Sequence, residues 1–338
     1  MAENDELLNY LKNLTIDDEE SQKIVEYTKL INGIIIDDTT GQKQLKFPVG
    51  KVNSRKFVGV NLLNGYEKFK PQDLNSIYLL NDVFEVMKYS IEHDLIKLKN
   101  FNIISARRVL LLLMLIPVHK YKDLRFNIIY WNQFIIIDFD WKFQPQQKLD
   151  TNFLKLQYCG FKFEQIITEG DYNTSFYYFV NQKSSNTNIF FTAEIDATSQ
   201  DKPIELKTMA KQPSFKHRQS KLIGAWCQNK LVGCKHTILG YRSSGFKLSK
   251  IQHLSNQQLE QEISLFSKQA CLDSYQTILQ QIINKFQKND SPVTFQLNYH
   301  YTSENLDDNI KFLEVKNDLF DDIVPKSFQE YIEKIKVS

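Results

Sequence analysis

The spacing of hydrophobic and polar positions changes near the middle of the chain. Apolar residues recur at helical spacing in the first forty residues, and helices are predicted again at 74–94 and 106–116. From residue 126 onward, β-branched and aromatic residues favour strands, and the first two of these strands form a hairpin. The pattern predicts strands at 126–130, 134–139, 176–180, 189–196, 204–208, 237–242, 246–251, 293–300 and 310–315, and helices at 151–167, 216–231 and 256–287, with a short helix at the end.

The order of these elements mixes strands and helices without regular alternation. This predicts an α/β or α+β fold built on mixed sheets. The sequence shows no internal repeat and no linker rich in Pro, Gly or Ser. Residues 1–338 are therefore interpreted as a single domain, in which residues 1–40 form a helical N-terminal extension.

Composition excludes several classes of protein. With 42% hydrophobic residues the chain can bury a large core, and 42 basic against 40 acidic residues exclude a polycationic binder, although not a local basic groove. The four cysteines form no CxxC pair, which argues against a structural zinc site and against a disulfide framework. The N-terminus is acidic, and the most apolar stretch, Val109–Val118, covers about ten of the roughly 20 residues that a membrane span needs. We expect no leader peptide and no membrane anchor.

Two neighbouring predicted strands carry acidic residues at alternate positions. Glu194 and Asp196 end a strand that begins with Phe190, and side-chain alternation puts both on one face. Glu205 and Lys207 share a face of the next strand. If the two strands pair, three carboxylates and one ammonium converge on one patch.

Such a cluster calls for a physical reason, because buried carboxylates repel one another. A hard divalent cation such as Mg²⁺ or Mn²⁺ removes the repulsion, and a lysine beside it can stabilise charge on a phosphate. E-x-D followed by E-x-K resembles the active-site pattern of the (D/E)xK nuclease superfamily. A solvent-facing ladder of paired charges is the alternative, which the apolar residues Ile195 and Leu206 disfavour.

Two further segments carry candidate residues. Glu164 follows aromatic residues near the end of a predicted helix, where it is either a fourth acidic ligand or an ordinary surface residue. The helix predicted at 216–231 has one apolar face, and basic residues lead into it: Lys211, Lys216, His217, Arg218 and Lys221. This basic approach suits a polyanion, or else it is a solvated helix end.

Five motifs in fixed order resemble those of the DXO/Rai decapping nuclease family. They are GFKFE (residues 160–164), AEIDA (193–197), ELKT (205–208), WCQNKLVG (226–233) and ILGYR (238–242). Upstream, residues 62–69 and 104–107 are similar to two further family segments. The resemblance covers roughly residues 45–320 and leaves the first forty unexplained. It implies two packed mixed β-sheets flanked by helices, with the active-site pocket between them.

The resemblance also implies roles for single residues. Glu164, Asp196 and Glu205, together with the main-chain carbonyl of Leu206, match the metal ligands. Glu194 matches an acid that helps to bind metal or the attacking water. Lys207 matches the catalytic lysine, and Gln228 matches the glutamine at the scissile phosphate.

Arg107 matches an arginine that contacts RNA phosphates. The family arginine commonly follows an aromatic residue and precedes glycine, whereas Ala106 and Arg108 stand here. Successive helical residues point about 100° apart, so we expect Arg107 to face the pocket and Arg108 to face solvent.

The function implied is that of a metal-dependent hydrolase of RNA 5′ ends, with Mg²⁺ or Mn²⁺ as cofactor and two ions expected. Its substrates would be incompletely capped, unmethylated or NAD-capped RNA, with 5′-triphosphate and 5′-monophosphate RNA as further substrates of the family. The resemblance further implies a nuclear 5′→3′ exoribonuclease as partner and a nuclear location, with the cytoplasm as the alternative. Two other functions stay open: a (D/E)xK nuclease acting on DNA, and a non-catalytic partner that stabilises an exoribonuclease.

Overall fold

The computed structural model of this protein describes most of the chain downstream of residue 57 and two short segments before it. The described residues are 28–35, 44–45, 57–70, 80–92, 96–97, 102–118, 123–143, 150–169, 176–183, 187–199, 202–286, 293–303, 305–315 and 318–337.

Strands and helices in the described residues are numbered here in chain order. The strands are β1 (Thr28–Ile35), β2 (Gln44–Leu45), β3 (Ile103–Ala106), β4 (Leu124–Trp131), β5 (Phe134–Phe139), β6 (Thr168–Glu169), β7 (Phe176–Lys183), β8 (Asn188–Glu194), β9 (Ala197–Ser199), β10 (Lys202–Ala210), β11 (His236–Arg242), β12 (Leu248–Ser255), β13 (Val293–Tyr299) and β14 (Ile310–Val315). The helices are α1 (Asn81–Glu92), α2 (Arg107–Met114), α3 (Thr151–Ile167), α4 (Phe215–Val232), α5 (Asn256–Glu262), α6 (Leu265–Phe286), α7 (Leu306–Asn309), α8 (Asp318–Ile323) and α9 (Lys326–Val337).

These strands form two mixed sheets. The larger sheet has the order β1-β7-β8-β3-β5-β4-β13-β14, in which β3 runs parallel to both of its neighbours. The smaller sheet has the order β12-β11-β10-β9-β2-β6, in which β10 is parallel to β11 and antiparallel to β9. The expected fold class of two mixed sheets flanked by helices is confirmed.

Helices and sheets are stacked in layers. One buried cluster joins residues of both sheets to helices α2, α4 and α6, and forms the central core of the molecule. A second cluster packs α1, α8 and α9 on the outer face of the larger sheet. A third packs α3 on the outer face of the smaller sheet. Elements that meet in the central core can therefore contribute side chains from either sheet to one site.

The hairpin and several helices form where the pattern predicted them. Helix α3 spans the predicted residues 151–167, and Asp150 caps its first turn by accepting a hydrogen bond from the Phe153 amide at 2.6 Å. β4 and β5 form the predicted hairpin, and its link residues Asn132 and Gln133 both have positive φ, at 56° and 71°. Such angles match the twist of a two-residue hairpin turn.

Several predicted elements differ from the structure in type or extent. Residues 28–35, predicted as part of a helical extension, form β1, which pairs with β7; the other residues of 1–40 lie outside the described residues. The segment 28–35 contains the β-branched residues Thr28, Ile31 and Ile34, which favour a strand once a partner strand is available. The strand predicted at 189–196 ends at Glu194, because the chain passes from the larger sheet to the smaller one at this point.

The helix predicted at 256–287 is broken into α5 and α6. Ile263 is extended, with φ −103° and ψ 140°, and its side chain is buried. The Gln219 side chain bridges the break. Its Nε2 donates to the main-chain carbonyl of Glu262 at 2.7 Å, and its Oε1 accepts from the main-chain N–H of Ser264 at 3.2 Å. A tertiary contact therefore satisfies the main-chain groups that a continuous helix would have paired.

Cys159, Cys227, Cys234 and Cys271 are all buried free thiols. Across the described helices, none combines the length and apolar character that crossing a bilayer requires.

Candidate active site

The crossover between the two sheets positions Asp196. β8 ends at Glu194 in the larger sheet, and β9 begins at Ala197 in the smaller one. Ala197 pairs with Ile204 in antiparallel register, so Asp196 lies beside the residues of β10 that follow Ile204. Its Oδ2 accepts a hydrogen bond from the Leu206 amide at 2.9 Å, which fixes the carboxylate against the strand.

Glu205 and Lys207 share one face of β10, as the E-x-K spacing predicted. The Lys207 ammonium donates a hydrogen bond to Glu205 Oε1 and lies 3.8 Å from Asp196 Oδ2. The Glu205 side chain is only 2% exposed, against 17% for Asp196 and 28% for Lys207. Two carboxylates therefore share one ammonium at the edge of the central core.

Arg107 reaches the same cluster from the larger sheet. It is the first residue of α2, directly after β3, and its Nη1 lies 3.6 Å from Glu205 Oε2 with 13% of its side chain exposed. Arg108 is exposed and lies over the Trp141 ring, 5.1 Å from its centroid. The two arginines thus point to different surroundings, with Arg107 on the side of the acids.

Burial and neighbouring charges shift the pKa values of this cluster. Burial raises the pKa of Glu205, and the Asp196 carboxylate raises it further, against the opposing effect of Lys207 and Arg107. Burial by itself would lower the pKa of Lys207, but the carboxylates of Glu205 and Asp196 outweigh it, so this pKa is raised. Lys207 is therefore a cation at neutral pH, available as a donor rather than as a base.

Glu164 lies on α3, which packs on the opposite face of the smaller sheet. Phe163 is fully buried against Gly240 of β11, where an added Cβ would come within 2.6 Å of its ring. At the other side of α3, the Tyr158 hydroxyl donates to the Asn64 carbonyl at 2.5 Å. These contacts fix the position of α3 on the sheet, and with it the position of Glu164. The main-chain carbonyl of Glu164 accepts a hydrogen bond from the Thr168 hydroxyl at 2.7 Å.

Gln228 lies on α4, which packs on the face of β10 that carries Glu205 and Lys207. Ser214 caps the start of α4, and Gly233 ends it in the left-handed region with φ 76°. Gln228 is half-buried, one residue after the fully buried Cys227. Helical spacing puts Lys221 and Gln228 on the same side of α4, seven residues apart.

Two basic residues near the site had no role assigned from the sequence. Desolvation, and then the positive charges of Lys207 and Arg242, lower the pKa of Lys221. Arg242, which ends the ILGYR motif, is paired in register with Ala210 at the end of β10. The sequence signal was present for Lys221, which belongs to the basic approach to α4. Its position near Lys207 and Arg242 depends on how α4 packs on the sheet, which the sequence pattern does not show.

The structure thus brings Arg107, Asp196, Glu205 and Lys207 together and places Glu164 and Gln228 on the helices that cover the two faces of β10. Glu194 ends β8 opposite Tyr177, and its side chain lies outside the described residues.

The oxygen donors of the cluster fit a hard divalent cation. Among the described side chains, no group of three or more His, Cys, Asp or Glu is placed to hold a metal. The carboxylates that lie close together are Asp196 and Glu205, whose charges interact. β10 pairs with β9 only as far as Ile204. The N–H and C=O of one strand residue point to the same side, so the Leu206 carbonyl faces the open edge where its amide meets Asp196.

Comparison with known proteins identifies related chains. A family model described as RAI1-like PD-(D/E)XK nuclease matches residues 19–329. Decapping nuclease RAI1 from Yarrowia lipolytica is 25% identical over 254 residues, which cover 65% of this chain and 71% of that protein. This chain belongs to the RAI1-like PD-(D/E)XK nuclease family.

Solved structures share the fold at low sequence identity. Candida albicans Rai1 in complex with pU5 and Mn²⁺ has a TM-score of 0.76 and 15% identity, over 91% of this chain and 96% of that one. Scheffersomyces stipitis Rai1 in complex with 3′-NADP⁺ and calcium has a TM-score of 0.74 and 15% identity, over 91% and 94%. K. lactis Dxo1 in complex with manganese has a TM-score of 0.65 and 17% identity, over 86% and 90%.

Proposed function

We propose that this chain is a divalent-metal-dependent hydrolase that cleaves phosphodiester bonds at the 5′ end of RNA, as a decapping nuclease. The observation that carries the proposal is the buried cluster of Asp196, Glu205 and Lys207, joined by Arg107, in a chain of this nuclease family. A charged cluster with 98% of the Glu205 side chain buried is costly to maintain for structure alone.

We assign the metal site to the open edge of β10. Asp196, Glu205 and the Leu206 carbonyl would hold the cation, with Glu164 and Glu194 completing a site for Mg²⁺ or Mn²⁺, and two ions are proposed. A divalent cation bound there supplies Lewis-acid stabilisation of the charge that develops on the phosphate.

The chain's own donors act on the phosphate. The protonated Lys207, held between two carboxylates, is placed to donate to a phosphate oxygen or to orient the attacking water. Arg107 presents a planar fork that matches two phosphate oxygens. Gln228 offers a neutral amide from the opposite helix, which can contact the scissile phosphate without displacing a cation.

The proposed substrates are RNAs with an incomplete, unmethylated or NAD cap, and 5′-triphosphate and 5′-monophosphate RNA are further candidates. Support comes from the related structures, in which C. albicans Rai1 holds pU5 with Mn²⁺ and S. stipitis Rai1 holds 3′-NADP⁺ with calcium. The same proposal includes a nuclear location, which a fluorescent fusion tests. It also includes binding to a nuclear 5′→3′ exoribonuclease, which affinity purification from nuclear extract tests.

One experiment separates the candidate functions. The protein is incubated with 3′-labelled RNA that carries a cap guanosine, NAD, triphosphate or monophosphate at its 5′ end, and with a matched DNA, in Mg²⁺ or Mn²⁺. We expect divalent-dependent cleavage of RNA at its 5′ end, and its loss in Asp196→Asn but not in the nearby surface variant Arg108→Ala. Cleavage of DNA alone would favour the DNA nuclease, and no cleavage of any substrate would favour the non-catalytic partner.

A further inference from the structure

A second basic feature lies beyond the catalytic cluster on the same side of the smaller sheet. It is a cavity of about 440 Å³ lined by Lys211, Arg218, Tyr241, Lys250 and Gln252, which we name the basic pocket. None of these residues has a role in the site described above.

The floor of the basic pocket is polar and ordered. The Tyr241 hydroxyl donates to Gln252 Oε1 at 2.8 Å and accepts from Arg218 Nη1 at 3.4 Å. Arg218 also forms an ion pair with Glu262, so its own charge is balanced. These two bonds fix the Tyr241 hydroxyl and the Gln252 side chain, so the Gln252 amide nitrogen is the floor group that can donate to a ligand oxygen.

The rim of the basic pocket carries excess positive charge. Lys211 and Lys250 are both exposed, and the Lys250 ammonium lies 5.6 Å from the centroid of the Tyr241 ring. Since Glu262 balances Arg218, these two ammonium groups leave the pocket with a net charge of about +2, which favours an anionic ligand.

Sheet register places the pocket in line with the catalytic cluster. Lys207 pairs with Leu239 and Met209 pairs with Tyr241, so the Tyr241 side chain lies on the face that carries Glu205 and Lys207. Ala210 lies three positions after Lys207 on β10, which is roughly 10 Å at the usual rise per residue. Lys211 follows immediately, so the basic pocket lies within reach of an RNA strand of a few nucleotides.

Helix α4 connects the two places. Arg218, Lys221 and Gln228 fall on one side of this helix at intervals of three and seven residues. Lys221, in the middle, is close enough to Lys207 and Arg242 for their charges to act on it. A row of donors therefore runs from Gln228 to the basic pocket.

We infer that the basic pocket binds backbone phosphates of the RNA strand on the 3′ side of the cleaved bond. This inference rests on the proposed function. An enzyme that acts at a 5′ end has at most a cap and a nucleotide on one side of its metal site and the whole remaining strand on the other. A phosphate-binding pocket about 10 Å from the catalytic lysine therefore serves the long part of the substrate.

The test compares RNA binding and cleavage for two double variants with the same loss of charge. Lys211→Ala with Lys250→Ala alters the pocket, and Lys311→Ala with Lys326→Ala removes two exposed lysines elsewhere. Fluorescence anisotropy with EDTA present measures the affinity of 5′-monophosphate RNAs of 2 and 20 nucleotides without cleavage. KM and kcat are then measured in Mn²⁺.

We expect the pocket variant to bind the 20-mer about tenfold more weakly and to lower its salt slope by roughly 1.4, at about 0.7 for each phosphate contact with a single strand. Its dinucleotide affinity and its kcat should match those of the wild type, and so should all properties of the control variant. Equal 20-mer affinity in pocket variant and wild type would overturn the inference alone, as would an equal loss for both lengths. A wild-type protein without RNA affinity or cleavage would overturn the proposed function and the inference together.

Discussion

Replacing Gly240 by alanine tests how α3 is held over the smaller sheet. The added Cβ would lie 2.6 Å from Phe163 Cε2 and 2.8 Å from both Cδ2 and Cζ, all closer than such atoms approach in proteins. Phe163 is fully buried, so its ring cannot swing into solvent. Either the ring leaves its rotamer or α3 moves away from β11, and overpacking of this kind costs about 1–3 kcal/mol.

Gly160 on the same helix supplies the matched control. A Cβ added there meets no atom within 4 Å, so Gly160→Ala should stabilise the protein by about 0.5–1 kcal/mol through helix propensity. Urea unfolding of wild type, both single variants and Gly240→Ala/Phe163→Leu gives the free energy of unfolding of each. The smaller leucine should recover part of the loss, with a coupling energy of at least about 1 kcal/mol.

The outcome also bears on function, because α3 carries Glu164. The rate of RNA cleavage, measured without urea, should fall in Gly240→Ala and stay unchanged in Gly160→Ala. If Gly240→Ala proved as stable as the wild type, the contact of Phe163 with β11 would not hold the helix, and the reasoning would be refuted.

Three further predictions concern single charged groups. Burial, aided by Asp140 and opposed by the Phe139 amide, raises the pKa of Asp138 from 3.8 to about 7. The contribution of Asp138 to stability is therefore complete below pH 4 and is lost as the pH rises through 7. Thermal unfolding should show Asp138→Asn to be more stable than the wild type at pH 8, by up to about 4 kcal/mol, with no gain at pH 4. Lys207→Ala should lower turnover at least a hundredfold with little change in Mn²⁺ affinity, and calorimetry that showed as steep a loss of affinity as in Asp196→Ala would contradict this role. Arg107→Ala should weaken RNA binding and reduce its salt slope by about 0.7, whereas an effect of Arg108→Ala alone would transfer the role to the neighbouring residue.

Local patterns were sufficient where one segment determines its own structure. The spacing of apolar residues predicted both ends of helix α3 correctly, and the alternation in E-x-K correctly placed Glu205 and Lys207 on one face of β10. Both results follow from periods of 3.6 and 2 residues, which need no information from the rest of the chain.

Features that depend on distant partners were not predictable. The break between α5 and α6 is stabilised by Gln219, more than forty residues earlier in the chain. Glu194 and Asp196 were expected on one strand, but their alternation carries no sign that the chain changes sheets between them. The ion pair of Arg107 with Glu205 joins residues from different sheets, and it was not predicted: the family resemblance implied only that Arg107 faces the same pocket.

The charges of the cluster explain why its position between the sheets matters. Arg107 comes from the larger sheet, Glu205 and Lys207 from the smaller one, and Asp196 from the crossover, so the site forms only when both sheets pack on the central core. With both acids ionised, two cations balance two anions, which allows the group to be buried without a ligand. A bound divalent cation would leave an excess of about two positive charges in a low-dielectric setting, and a phosphate is the ligand that restores the balance. Binding of metal and binding of RNA should therefore favour each other, through the same four side chains.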